Sequence, residues 1–169
     1  LATAIKMSRS GLGNPQKPCS CSRMSIDRYE KRISGPLLDR IDLHLEVPPV
    51  ETEKLISDRG DNELSEASSV IRVRVQKARD LQAERFRGTS VTCNAEMHAK
   101  AVKKYCVLDA MGKEVIQQAL RQLMLSARSY HKVLKVARTI ADLAGSETIG
   151  KEHVTEALQY RPKENKSRL

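Results

Sequence analysis

The sequence predicts a mostly α-helical protein with one short strand. Aromatic residues make up only 3% of its 169 positions, so a core must be assembled from Leu, Ile, Val, Ala and Met, which suits helix packing better than a sheet sandwich. Apolar residues recur at spacings of three and four through most of the chain after residue 62. Only one segment alternates as a strand does. At 40% apolar residues and this length, the chain fits one ordinary domain or one and a half small ones with a packed core.

Taken in order, the first 22 residues are rich in Ser, Gly and Pro and read as a loop. From Arg23 to Ile33 the apolar positions Ile26, Tyr29 and Ile33 predict a short helix that Ser34-Gly35-Pro36 stops. Leu37 to Ile41 is a second short apolar turn. Leu43-His44-Leu45-Glu46-Val47 alternates like a half-buried strand and ends at Pro48-Pro49. A lone strand leaves its backbone groups unpaired, so this one is expected to join a sheet elsewhere. Residues 50–62 form a polar linker.

A long helix is expected from Glu63 to Arg87, with Ala67, Ile71, Val75, Ala78 and Leu81 as its inward stripe and Gly88 as its stop. Asn94 is a candidate cap for a helix over Met97–Tyr105. Asp109 is the same for one over Met111–Leu125, with Val115, Ala119 and Leu123 inward. The clearest helix runs from Ser126 to Ala144: Ser126 caps it, Tyr130, Leu134, Ala137, Ala141 and Ala144 repeat at four and three, and Gly145 ends it. The last begins at Gly150, with Ile149 and Val154 as a hydrophobic staple, and gives way to a charged tail over 162–169.

Thirty basic against twenty-one acidic side chains give a net charge of +9, a balance that attracts polyanions. Bases and acids are interspersed, so the charge also fits a solvated helical surface, and the aromatic platforms of single-strand binders are missing. No apolar run approaches the roughly 18 residues of a membrane span and no signal-peptide layout opens the chain, so a soluble cytoplasmic protein is expected. Four cysteines do not suggest a disulfide framework. No Ser-His-Asp, paired-carboxylate or metal-binding helix signature occurs, and His131 and Arg138 call for no special role.

Two stretches carry a resemblance: Ile33-Ser34-Gly35-Pro36-Leu37-Leu38-Asp39-Arg40-Ile41-Asp42, and the run from Leu125-Ser126-Ala127-Arg128 through Tyr130-His131-Lys132 and Lys135 to Gly145. Ile71-Arg72-x-Arg74-Val75, Ala78-Arg79 and Glu156 to Arg161 support it. Together they resemble the magnesium-chelatase-related AAA+ proteins, a bacterial family that includes a competence-associated DNA helicase. The similarity runs from about Pro15 to Arg161. It implies a helical lid domain over 63–161, preceded over 1–49 by the end of the α/β ATPase core with its last strand.

The resemblance also implies site residues. Arg40 falls at the arginine-finger position, where a guanidinium from a neighbouring subunit meets the charge spread over a phosphoryl group in transfer; such a finger contributes about 10³ to 10⁵ in rate in related NTPases. The plain alternative pairs Arg40 with Asp39 or Asp42. Arg128, in the first turn of the lid helix, falls where this branch places a sensor arginine on the nucleotide phosphates. Lys132 and Lys135 follow on the same edge and either surround a phosphate tail or form a solvated basic edge with Asp142 at its far end.

The chain departs from the family pattern upstream. Where Asn-Pro-Cys-Pro-Cys-Gly is expected it reads Ile5-Lys6-Met7-Ser8-Arg9-Ser10, which removes the first-sensor asparagine and leaves Cys19 and Cys21 as half of a thiolate site, so no metal is assigned. No phosphate-binding loop of the Gly-x-x-x-x-Gly-Lys-[Ser/Thr] type occurs. ATP and Mg are thus implied for an intact protein, and tight binding by this chain alone is not expected. The implied function is the lid and finger part of a homo-oligomeric ring ATPase that acts on DNA. The alternative is a truncated, non-catalytic module that binds a partner ATPase or nucleic acid. A magnesium chelatase subunit is a third reading.

Overall fold

A computed structural model describes residues 22, 24, 25, 28, 40–45 and 66–161. Residues 42–45 and 66–161 fall in one compact unit; residues 22, 24, 25, 28, 40 and 41 fall in another. In the latter, Met24, Ser25 and Arg28 are helical, within the helix expected over 23–33, and Ser22 Oγ accepts the Ser25 amide at 3.3 Å. The expected loop before Ser22, the linker over 50–62, the tail over 162–169 and the Cys19/Cys21 pair lie outside the described residues.

Among its described residues the larger unit holds five α-helices: α1 (Ser68–Arg85), α2 (Ala99–Tyr105), α3 (Ala110–Gln122), α4 (Ala127–Leu143) and α5 (Lys151–Gln159). A 3-10 turn, Asn94–Glu96, precedes α2. The central helix is α4, which packs against α1, α2, α5 and the turn, while α3 packs on α5. This agrees with the mostly helical fold that the sequence predicts.

Ser126 caps α4 as expected, its Oγ accepting the Ser129 amide at 3.2 Å. Leu134, Ala137 and Ala141 are buried on its inward face, and Gly145 follows its end at φ 70°. Ala144 is exposed, because the helix has ended by then. Asp109 caps α3 by accepting the Gly112 amide at 2.6 Å. Ile116 and Ala119 face inward, but Leu123 lies past the helix end and is half exposed. Met124 then turns the chain into α4 with a left-handed backbone, φ 44°. Ile149 and Val154, the expected staple around Gly150, are both fully buried, and His153 Nδ1 accepts the Gly150 amide at 2.9 Å.

Three expectations need correction. The stripe read for α1 is buried only at Ala78: Ile71, Val75 and Leu81 are 39%, 45% and 44% exposed. The inward residues are Ala78, Gln82 and Phe86, spaced by four. Every residue of α1 from Ser68 to Lys77 is exposed, so only its C-terminal half reaches the core. Asn94 caps no helix. It is buried in the 3-10 turn, and α2 begins at Ala99 without a side-chain cap. Of the strand expected over Leu43–Val47, residues 46 and 47 lie outside the described residues, and 43–45 form no ladder among them; Leu43 and Leu45 are 50% and 71% exposed, and the His44 amide donates to Tyr160 O at 2.8 Å. An alternating segment without a neighbouring strand has nothing to bury its apolar side against.

The core gathers Phe86, Met97, Val102, Ile116, Val133, Leu134, Ile149 and Val154 around the small residues of α4. Phe86 meets Tyr105 edge to face, with ring centroids 5.4 Å apart. A parallel bridge between Leu108 and Ile149 aligns the starts of α3 and α5: the Ile149 amide donates to Val107 O at 2.9 Å and the Asp109 amide to Ile149 O at 3.1 Å. The described cysteines, Cys93 and Cys106, are free thiols, and no described helix is long and apolar enough to cross a membrane.

Candidate functional site

The spacing of α4 places Arg128, His131, Lys132 and Lys135 along one edge, at intervals of three and four. This edge forms one wall of a cleft of about 290 Å³. The segment from Ala95 to Val102 supplies the facing wall, chiefly Met97 and Val102, and Asp42 is the one carboxylate among the described lining residues. The structure therefore brings together the three cations that the sequence groups, and adds His131 to them.

Each cation has a distinct setting. Lys135 Nζ donates to Ala95 O at 2.8 Å, tying α4 to the opposite wall. Lys132 Nζ lies 3.1 Å from Asp42 Oδ1. Arg128 is exposed in the first turn and makes no ion pair or hydrogen bond among the described residues. Among the described lining residues three cations face one carboxylate, and guanidinium and ammonium groups bind phosphate oxygens by short, charge-assisted bonds. The cleft fits a phosphate tail. Among the described residues it offers a single carboxylate, too few oxygen ligands for a magnesium ion, and no group of three His, Cys, Asp or Glu side chains there could hold a metal. Arg40, the other residue singled out from sequence, is exposed at a turn in the smaller unit.

Behind the cleft lies a polar cluster that the sequence reading missed. Asp142, expected at the far end of a solvated edge, is 2% exposed, and Arg138, for which no special role is expected, is 1% exposed. Asp142 accepts from Arg138 Nε at 3.0 Å, from Asn94 Nδ2 at 2.7 Å, and from both terminal nitrogens of Arg85, one of them at 2.7 Å. Arg138 also donates to the carbonyls of Ser146 and Glu147, closing the C-terminal turn of α4. Burial pulls the Arg138 guanidinium below its ordinary pKa, and Asp142 opposes that shift. Asn94 joins the cluster to the cleft wall, since Ala95 and Met97 follow it in the turn. The signal in the sequence was the pair Arg138 and Asp142 at a spacing of four beside Ala137 and Ala141: charges flanked by small residues on the inward face of a helix.

Comparison with known proteins agrees with this architecture. The family described as magnesium chelatase, subunit ChlI C-terminal, matches residues 65–161, and the one described as magnesium chelatase, subunit ChlI, matches residues 1–55. Among curated relatives, the competence protein ComM of Haemophilus influenzae is 42% identical over 142 residues, covering 83% of this chain and 26% of that protein. The protein YifB of Salmonella typhimurium is 36% identical over 141 residues, with the same two coverages. A Mycobacterium tuberculosis protein, Rv2897c, is 32% identical over 143 residues, covering 85% of this chain and 27% of its own length. The chain thus spans about a quarter of the length of these relatives. On the match over residues 65–161 and the helical fold that fills it, the chain belongs to the magnesium-chelatase-related family, of which it carries the C-terminal helical domain.

Proposed function

We propose that this chain is the lid and finger part of a ring-forming AAA+ ATPase, and that the cleft along α4 receives the phosphate tail of ATP. The observation that supports this reading best is the convergence of Arg128, Lys132 and Lys135 on one cleft, beside a single carboxylate among the described residues. Arg128 stands at the mouth as the sensor of the nucleotide. Its planar guanidinium fork can bond two oxygens at once. Arg40 acts as the finger toward a neighbouring subunit's nucleotide, where it stabilises charge on the phosphoryl group in transfer. ATP bound there supplies the phosphoanhydride whose cleavage drives the ring, and magnesium is held by residues of the ATPase core rather than by the lid. The work done on this energy is movement or remodelling of DNA, in keeping with the competence protein among the relatives.

The two arginines separate by experiment in the full-length protein that contains this segment. Arg40→Ala abolishes hydrolysis and leaves the Kd for ATP unchanged; Arg128→Ala weakens both. Unchanged turnover in Arg40→Ala discards the finger, and unchanged ATP affinity in Arg128→Ala discards the sensor. The second reading, a non-catalytic module that binds nucleic acid, is favoured by the exposed Arg72, Lys77 and Arg79 on α1 and Lys100, Lys103 and Lys104 on α2. It predicts DNA affinity with a steep salt slope and no dependence on Arg40.

A further inference from the structure

The carboxylate in the cleft is placed where a ligand would be. Lys132 is the middle cation of the row, four residues after Arg128 and three before Lys135, and Asp42 Oδ1 lies 3.1 Å from its ammonium. A carboxylate oxygen and a phosphate oxygen offer a lysine the same thing, a charged acceptor at hydrogen-bond distance. The pair is open to solvent, with the Asp42 side chain 57% exposed and that of Lys132 21% exposed, so it is weakly held. The segment that bears Asp42 has its own anchor, the His44 amide bonded to Tyr160 O at 2.8 Å. The chain is therefore fixed at His44, while the Asp42 side chain two residues away can leave Lys132 for water.

We propose that Asp42 is an internal competitor for the phosphate site: it occupies the central cation of the cleft and is displaced when a polyphosphate binds. This rests on the reading of the cleft as a phosphate site. A polyphosphate spans Arg128, Lys132 and Lys135 together, whereas Asp42 meets Lys132 with one carboxylate. The pair occupies Lys132 while the cleft is empty, and its opening reports that a phosphate tail has arrived.

The test is a titration of the isotopically labelled 169-residue chain with inorganic tripolyphosphate, read from the backbone amide shifts of Arg128, Lys132 and Lys135 by NMR. Removing the competitor with Asp42→Asn tightens binding by up to about fivefold, the ratio that a solvent-exposed ion pair is worth. Asp42→Ser removes the same charge with a different shape and gives the same tightening. Lys132→Ala weakens binding. In the wild-type chain the Asp42 amide moves on saturation, while that of His44, still bonded to Tyr160, moves less. If either Asp42 variant binds no more tightly than wild type while Arg128→Ala and Lys132→Ala still weaken binding, the competitor is wrong and the phosphate cleft stands. If none of the four variants alters binding, the phosphate reading falls and the competitor with it.

Discussion

Asp142→Ala is the sharpest probe of what holds the lid together. The carboxylate has no exposed surface and accepts from Arg85, Asn94 and Arg138, so its removal leaves two guanidinium groups without their counter-charge. One of them, Arg138, has a side chain only 2% exposed. Removing one partner of a buried pair costs about 3–5 kcal/mol. Two features place the loss near the lower end: Arg138 keeps its bonds to Ser146 O and Glu147 O, and the Arg85 side chain, 16% exposed, can turn to water. A loss of about 3 kcal/mol is a large share of the roughly 5–15 kcal/mol that stabilises a domain. In urea unfolding followed by far-UV circular dichroism, with a slope of about 1–3 kcal/mol/M, the midpoint falls by about 1–3 M. Replacing the pair together, as Arg138→Met with Asp142→Leu, recovers most of the loss, because no charge is then left buried without a partner in α4. A loss below about 1 kcal/mol in Asp142→Ala would refute the account, since the cluster would then behave as a solvated one.

Two further substitutions test packing and burial. Gly112→Ala, in α3, would gain about 1 kcal/mol from helix propensity alone. Its Cβ would lie 2.7 Å from Ile149 O, a backbone atom fixed by the bridge to Leu108, so the net effect is a destabilisation of about 1–3 kcal/mol in the same unfolding assay. Burial pushes the Cys106 thiol from 9.0 up to about 11. The native state therefore keeps its proton at a pH where the unfolded state has lost it. The stability of the wild-type chain relative to Cys106→Ala is constant below pH 9 and falls as pH rises from 9 to 11. Alkylation at pH 8, mapped by mass spectrometry, modifies the half-buried Cys93 before Cys106; the reverse order, or a difference independent of pH, counts against the burial argument.

Local rules carried much of this structure. The caps at Ser126 and Asp109, the stop at Gly145 and the staple of Ile149 with Val154 each depend on residues within a few positions of one another, so the sequence displays them directly. What failed depended on where a partner ends. The stripe of α1 is periodic along its whole length, yet its N-terminal half is exposed, and periodicity cannot show how far the neighbouring helix reaches. Asn94 was read as a cap because Asn favours helix starts. Its actual partners, Thr139 and Asp142, are 45 and 48 residues away. The alternation from Leu43 to Leu45 is that of a strand, but a strand exists only with a neighbour to pair with.

The same limit governs the candidate site. Arg128, Lys132, Lys135 and Arg138 are all basic residues of one helix, and from spacing alone any of them could face a ligand. The structure sorts them by what lies opposite. Arg138 turns inward because Asp142, one turn on, supplies its counter-charge and the carbonyls of Ser146 and Glu147 take its remaining donors, so its charge is spent on closing the helix end. Arg128 finds no such partner among the described residues, while Lys132 lies against Asp42 and Lys135 against the Ala95 carbonyl across a cleft. The buried cluster also holds the far wall, because Asn94 is bonded to Asp142 and the next residues of its turn face the lysines. An anion-binding edge on a helix needs this division of labour. Some charges must be neutralised within the fold to fix the wall, so that the others line an open cleft where a ligand can meet them.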